Sequence, residues 1–99
     1  LKGYPIYSIA KAGLAALTRS LAVELAPAVR VNGVAPGAIA WPEDGQFPDD
    51  ERGRIVATTP LGRVGSPGDI AQAVAFLAGP EARCITGVTL PVDSGYLAR

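Results

Sequence analysis

Tyr7 and Lys11 are the residues of this 99-residue chain whose types and spacing could carry chemistry. Four positions apart on a helix, they share a face. A phenol with its ordinary pKa of about 10 is a poor proton donor or base at neutral pH. An ammonium group beside it stabilises the phenolate and brings the phenol toward general-acid work. The spacing alone is a weak signal, because a helix surface carries Tyr and Lys by chance as well. Other chemistries are excluded by composition. The chain has no His and one Cys, Cys84, so a His-dependent triad and the imidazole or thiolate sets that hold metals are ruled out within it.

Helix, strand and loop patterns say what must position the pair. From about Ile6 to Leu25 the chain reads as a helix. Ala10, Leu14, Leu17, Leu21 and Leu25 form an apolar stripe at spacings of three and four. Pro5 suits its first turn and Pro27 stops it. Val29 to Ala35 reads as a strand, mostly apolar apart from Arg30 and Asn32, and Pro36-Gly37 ends it. Residues 38–48 lack periodicity and form a long loop. Asp49 to Thr58 reads as a short helix with acidic residues at its start.

Ser66-Pro67-Gly68-Asp69 reads as a helix start of capping-box type. Ile70, Val74 and Leu77, with Ala73, form that helix's buried stripe, and Gly79-Pro80 stops it. Val88 to Val92 reads as a second strand, followed by Asp93-Ser94-Gly95. This order predicts the end of a parallel α/β sheet. Two strands and a crossover offer little to cover both sheet faces and leave an open edge. Asn32 is expected to satisfy backbone groups, and the Asp93 carboxylate to cap a turn.

Charge and hydropathy narrow the partners. Nine Lys and Arg balance nine Asp and Glu, with no basic cluster for nucleic acid or an anionic membrane. No apolar run reaches the roughly 18 residues of a membrane span. A lone cysteine fits a cytoplasmic protein best.

Several segments stand in one order: Tyr7-Ser8-Ile9-Ala10-Lys11-Ala12-Gly13, Leu17 to Leu25, Val29-Arg30-Val31-Asn32-Gly33-Val34-Ala35-Pro36-Gly37, Ile85-Thr86-Gly87 and Val92-Asp93-Ser94-Gly95. Together they closely resemble the short-chain dehydrogenase/reductase family, over essentially the whole chain and with the family's spacing. The resemblance implies an α/β fold, the C-terminal part of a Rossmann-type doubly wound parallel sheet. Residues 1–99 would be the C-terminal catalytic half of one such domain. No glycine-rich phosphate loop is found here, nor the family's catalytic Ser or Asp, nor the residue that selects NADP over NAD. A whole protein about two and a half times longer is therefore expected, with the dinucleotide-binding half N-terminal.

The resemblance also implies roles. Tyr7 would donate a proton as the nicotinamide delivers hydride and would, with Lys11, help bind the cofactor; Lys11 would lower the pKa of Tyr7 and hydrogen-bond the nicotinamide ribose. Pro36 and Gly37 would border the nicotinamide, with backbone near Ile39 holding its carboxamide; a side chain at Gly37 would block that approach. Ala38 and Trp41 would face the substrate. Trp41 stands where many members carry a Thr that helps hold the cofactor. Around it, Pro36 to Gly45 looks like the bacterial pteridine reductases, and an indole could close over a flat ring or simply fill space beside the loop.

NADPH-dependent reduction of a dihydrobiopterin- or dihydrofolate-type pteridine is the expectation, in a cytoplasmic homo-tetramer. Another carbonyl substrate, or a non-catalytic oligomerising piece, are the alternatives. Asp93-Ser94-Gly95 departs from the commoner Asp-Gly-Gly, which puts the geometry of that turn in doubt, and Arg99 in the tail would approach a partner's site.

Overall fold

Pro5 opens the first helix, α1 (Pro5–Leu25), at its first position, where its missing N–H costs nothing. The computed structural model describes residues 3–39 and 49–99. α1 ends at Ala26, held extended at φ −69°, ψ 149° ahead of Pro27. Strand β1 (Gly33–Pro36), helix α2 (Asp49–Thr58), helix α3 (Pro67–Ala78) and strand β2 (Thr89–Val92) follow, with short 3₁₀ turns at Pro80–Ala82 and Tyr96–Ala98. α2 and α3 match the elements expected from the sequence.

The two strands form one sheet. Gly33 N–H donates to Val88 O at 2.8 Å and Gly37 N–H to Val92 O at 3.0 Å. From 33 to 37 and from 88 to 92 both strands advance equally, so they run parallel. The described residues group into two compact bodies. One comprises Leu1–Gly33 and Phe76–Leu90, the other Val34–Ala75 and Pro91–Arg99.

In the first body, the face that α1 buries is not the leucine stripe expected from its periodicity. Leu14 and Leu17 are 58 % and 51 % exposed, whereas Ala22 is 3 % and Thr18 8 % exposed. Buried Thr18 and Ala22, with half-buried Ala15, lie roughly a quarter turn around the helix from Leu14 and Leu17, and of the leucine stripe Leu21 is half-buried. Glycines explain the choice. A Cβ on Gly33 would stand 3.8 Å from Thr18 Oγ1, and one on Gly87 3.4 Å from Ala22 Cβ. Small side chains thus lie against bare backbone, which leucines would hold further off.

The strand also begins later than expected, at Gly33 and not Val29. Side chains take over the ladder before that point. Val31 N–H donates to the Thr86 hydroxyl at 3.0 Å, while Gly87 N–H reaches Val31 O at 2.7 Å. The Asn32 amide donates to Ile85 O at 3.0 Å and accepts from Val88 N–H at 3.2 Å. Asn32 is therefore the backbone satisfier expected of it.

Arg30 reaches further. Its guanidinium donates to Leu77 O (2.8 Å), Ile85 O (3.1 Å) and Gly79 O (3.3 Å). It thereby adds a charged donor to carbonyls at and just beyond the C-terminal end of α3.

α3 buries Leu77, with Ile70 and Ala73 half-buried. Val74, expected in the same stripe, is 50 % exposed. At the N-terminus of α3 Ser66 and Asp69 cap each other. Ser66 N–H and hydroxyl donate to Asp69 Oδ2 at 2.8 and 3.1 Å, and Asp69 N–H donates to Ser66 Oγ at 3.2 Å. The Ser66 N–H, then its hydroxyl, and also the Arg63 charge hold the Asp69 carboxyl below its ordinary pKa.

Two expectations follow. Arg30→Met should cost about 2–3 kcal/mol, read as a lower urea midpoint at unchanged slope, since it strips charged donors from three carbonyls. Asp69→Asn should lower the melting temperature at neutral pH. A carboxylate whose folded pKa is depressed stabilises above its unfolded pKa, and that contribution is lost as pH falls through the folded value. The gap between wild type and Asp69→Asn should therefore close on acidification below about pH 4, and a gap constant with pH would contradict the cap.

Candidate active site

The helical phase of α1 decides which way Tyr7 and Lys11 face. Counting turns, positions 7, 11, 15, 18 and 22 fall within one face, roughly a quarter turn wide. The pair thus lies on the face that carries Ala15, Thr18 and Ala22, two to three turns nearer the N-terminus. Lys11 Nζ stands 5.5 Å from the centre of the Tyr7 ring, within the range of a cation–π contact. Tyr7 is half exposed. The ammonium and the phenol are together, and the ring is open to a reactant.

Pro36, Gly37, Ala38 and Ile39 belong to the second body. Pro36 ends β1, and Gly37 still donates to Val92 O. Ala38 O accepts from Gly65 N–H at 2.9 Å, and Ile39 pairs with Gly65 as a parallel bridge. The 38–39 peptide is trans, so the Ile39 N–H points opposite to the Ala38 carbonyl, away from Gly65. A carboxamide could be met there. Trp41 lies outside the described residues.

Gly37 has a requirement that sequence reasoning missed. A Cβ at this position would fall 2.6 Å from Asp93 Cβ and 2.7 Å from Asp93 Cα. The backbone of the Asp93 turn therefore occupies the space, whatever binds on the other side. Asp93 caps its turn as expected, accepting from Gly95 N–H at 3.0 Å and Leu97 N–H at 3.1 Å. Ser94 adopts φ +56° and Gly95 φ +91°. Beside this turn a cavity of about 310 Å³ is lined by Leu61, Arg63, Gly65, Asp69, Val92 and Ser94, among others.

Arg30 was legible only as a charge in an apolar strand, a pattern that asks for a partner without naming one. Arg99 folds back within its own chain, its guanidinium 3.7 Å from the Tyr96 ring centre and its Nε–H donating to Tyr96 O at 3.2 Å. Among the described residues no helix is long and apolar enough to cross a membrane. Because Asp93 Cα cannot retreat, Gly37→Ala should destabilise the protein by about 1–3 kcal/mol; an unchanged thermal midpoint would contradict the close approach.

Known proteins are similar to this chain in sequence and in fold. Residues 1–97 match the family model described as enoyl-(acyl carrier protein) reductase. The chain is 49 % identical over 100 residues to an uncharacterized oxidoreductase of Schizosaccharomyces pombe, covering 97 % of this chain and 39 % of that protein. It is 48 % identical over 94 residues to the 3-oxoacyl-[acyl-carrier-protein] reductase of Vibrio cholerae, covering 94 % and 38 %. With cis-4-hydroxycyclohexanecarboxylate dehydrogenase of Sinomonas cyclohexanicum it shares 47 % over 93 residues, covering 93 % and 37 %.

The chain thus spans less than two fifths of the length of these relatives. A crystal structure of a short-chain dehydrogenase/reductase from Brucella melitensis superposes with a TM-score of 0.79 at 39 % identity, over 91 % of this chain and 35 % of that one. The fold is accordingly part of a Rossmann-like parallel α/β sheet, and the chain belongs to the short-chain dehydrogenase/reductase family.

Proposed function

We propose that the protein is an NADPH-dependent oxidoreductase that reduces a carbonyl to a secondary alcohol, residues 1–99 supplying the catalytic half of its domain. The observation that carries this reading is the Tyr7–Lys11 pair, ring and ammonium together on the face of α1 that turns to its buried side. The nicotinamide fits the residues present at Ile39, whose N–H points away from Gly65, its own strand's partner, and so can meet a carboxamide. Pro36, Gly37 and Ile39 would border the nicotinamide, and Lys11 would hold its ribose.

When bound, the nicotinamide supplies the hydride. Tyr7 gives its phenolic proton to the carbonyl oxygen, so that hydride and proton together make the alcohol. The Lys11 ammonium stabilises the phenolate left behind. In the reverse direction the same phenolate takes the proton back.

The names of the relatives favour a carbonyl substrate, since one is a 3-oxoacyl reductase and another a hydroxycyclohexanecarboxylate dehydrogenase. A pteridine is the second reading. It rests on Trp41 and the residues around it, and Ala38 with Trp41 would face either substrate. The exposed Leu14 and Leu17 on α1 support assembly, with the rest of a longer chain or with further copies, as in a tetramer.

Tyr7→Phe should lower NADPH-dependent reduction of a 3-oxoacyl thioester at least about a hundredfold, with NADPH binding retained in a fluorescence titration. Undiminished turnover would refute the assignment of Tyr7. Running dihydrobiopterin beside the thioester separates the two substrates, and faster turnover of the pteridine would reverse their order.

A further inference from the structure

The turn Asp93-Ser94-Gly95 touches the chain on both sides of one excursion. The excursion leaves β1 after Gly37 and returns at Pro60-Leu61. On the outgoing side, Gly37 N–H is held by Val92 O, and Asp93 lies so close that Gly37 has no room for a Cβ. On the returning side, Leu61 N–H donates to Ser94 O at 3.0 Å. Pro60 packs against Gly95, where an added Cβ would stand 3.0 Å from Pro60 Cβ. All of these residues belong to the second body.

The turn makes these contacts with two successive residues left-handed, Ser94 at φ +56° and Gly95 at φ +91°. Gly95 adopts that conformation freely. Ser94 does so against the steric preference of a side chain, and a β-branched residue would resist it strongly. We propose that Ser94 is a positioning residue: its left-handed backbone locks the 93–95 turn onto Leu61 and Gly37, and so fixes the strand end that borders the cofactor. Its hydroxyl is not required for this; its backbone conformation is. The inference rests on the proposed nicotinamide site at Pro36 to Ile39, but the clasp itself can be read without it.

Two substitutions separate conformation from side chain. Ser94→Gly keeps the left-handed turn, whereas Ser94→Val opposes it. Ser94→Gly should match wild type in the hydrogen exchange of the Leu61 amide and in KM for NADPH. Ser94→Val should expose the Leu61 amide, with at least about tenfold faster exchange, a shift on the order of 1.4 kcal/mol. It should also raise KM for NADPH several-fold while changing kcat less than twofold.

Unaltered Leu61 exchange in Ser94→Val, or loss of protection in Ser94→Gly as well, would overturn the clasp. Faster Leu61 exchange with an unchanged KM would overturn the positioning role. Because the exchange measurement needs no turnover, it reports on the clasp even if the Tyr7 experiment removes the reductase reading.

Discussion

α1 meets the strands through its smallest side chains, and the orientation of the candidate catalytic pair depends on that contact. Ala22 lies against Gly87 and Thr18 beside Gly33, where neither glycine presents a Cβ. Once those positions face inward, the 3.6-residue repeat carries the same face along the helix to Lys11 and Tyr7. A helix docked through Leu14 and Leu17 would be turned by roughly a quarter revolution, and the pair would turn with it. Two glycines well separated in sequence, Gly33 and Gly87, therefore set the direction of residues that neither touches.

Each body is completed by groups that are not part of regular elements. In the first, Arg30, Asn32 and Thr86 supply hydrogen bonds that a longer ladder would otherwise make. Ile85 O accepts from both Arg30 and Asn32, so the end of α3 and the approach to β2 share one anchor. In the second, the Asp93 turn does comparable work with its carboxylate and its backbone together. Buried apolar side chains are few among the described residues, namely Ala22, Leu77 and Ala82. The polar clamps are accordingly prominent, since little core is present to specify the packing.

The sequence was most legible where a rule is local. Pro5 and Pro27 bracket α1, α2 spans Asp49–Thr58 as its pattern suggests, and Ser66 with Asp69 forms the expected cap. Asn32 and Asp93 also do what a polar residue at a strand and a turn must do. Legibility failed where a distant segment decides. The leucine stripe of α1 outweighs its alanines in hydrophobicity, yet close approach to Gly33 and Gly87 selects the alanine side. Val74 continues a good helical spacing and is nonetheless half exposed. Gly37 suggested space for a ligand, and the nearest occupant is the Asp93 backbone, 56 residues further along. Of the candidate site, Tyr7 and Lys11 were readable as a pair because both lie on one helix. The left-handed Ser94 was visible only as a departure from a commoner motif.

In the proposed chemistry Tyr7 would be the proton donor, with the Lys11 ammonium beside it. The hydride would come from the nicotinamide and go to the carbonyl carbon. The direct measurement is to reduce a 3-oxoacyl thioester with NADPH deuterated on one or the other face of the reactive nicotinamide carbon, and to locate the label by mass spectrometry. The account predicts that one of the two labelled cofactors delivers a single deuterium to the carbinol carbon. An alcohol product that carries deuterium from neither would contradict it.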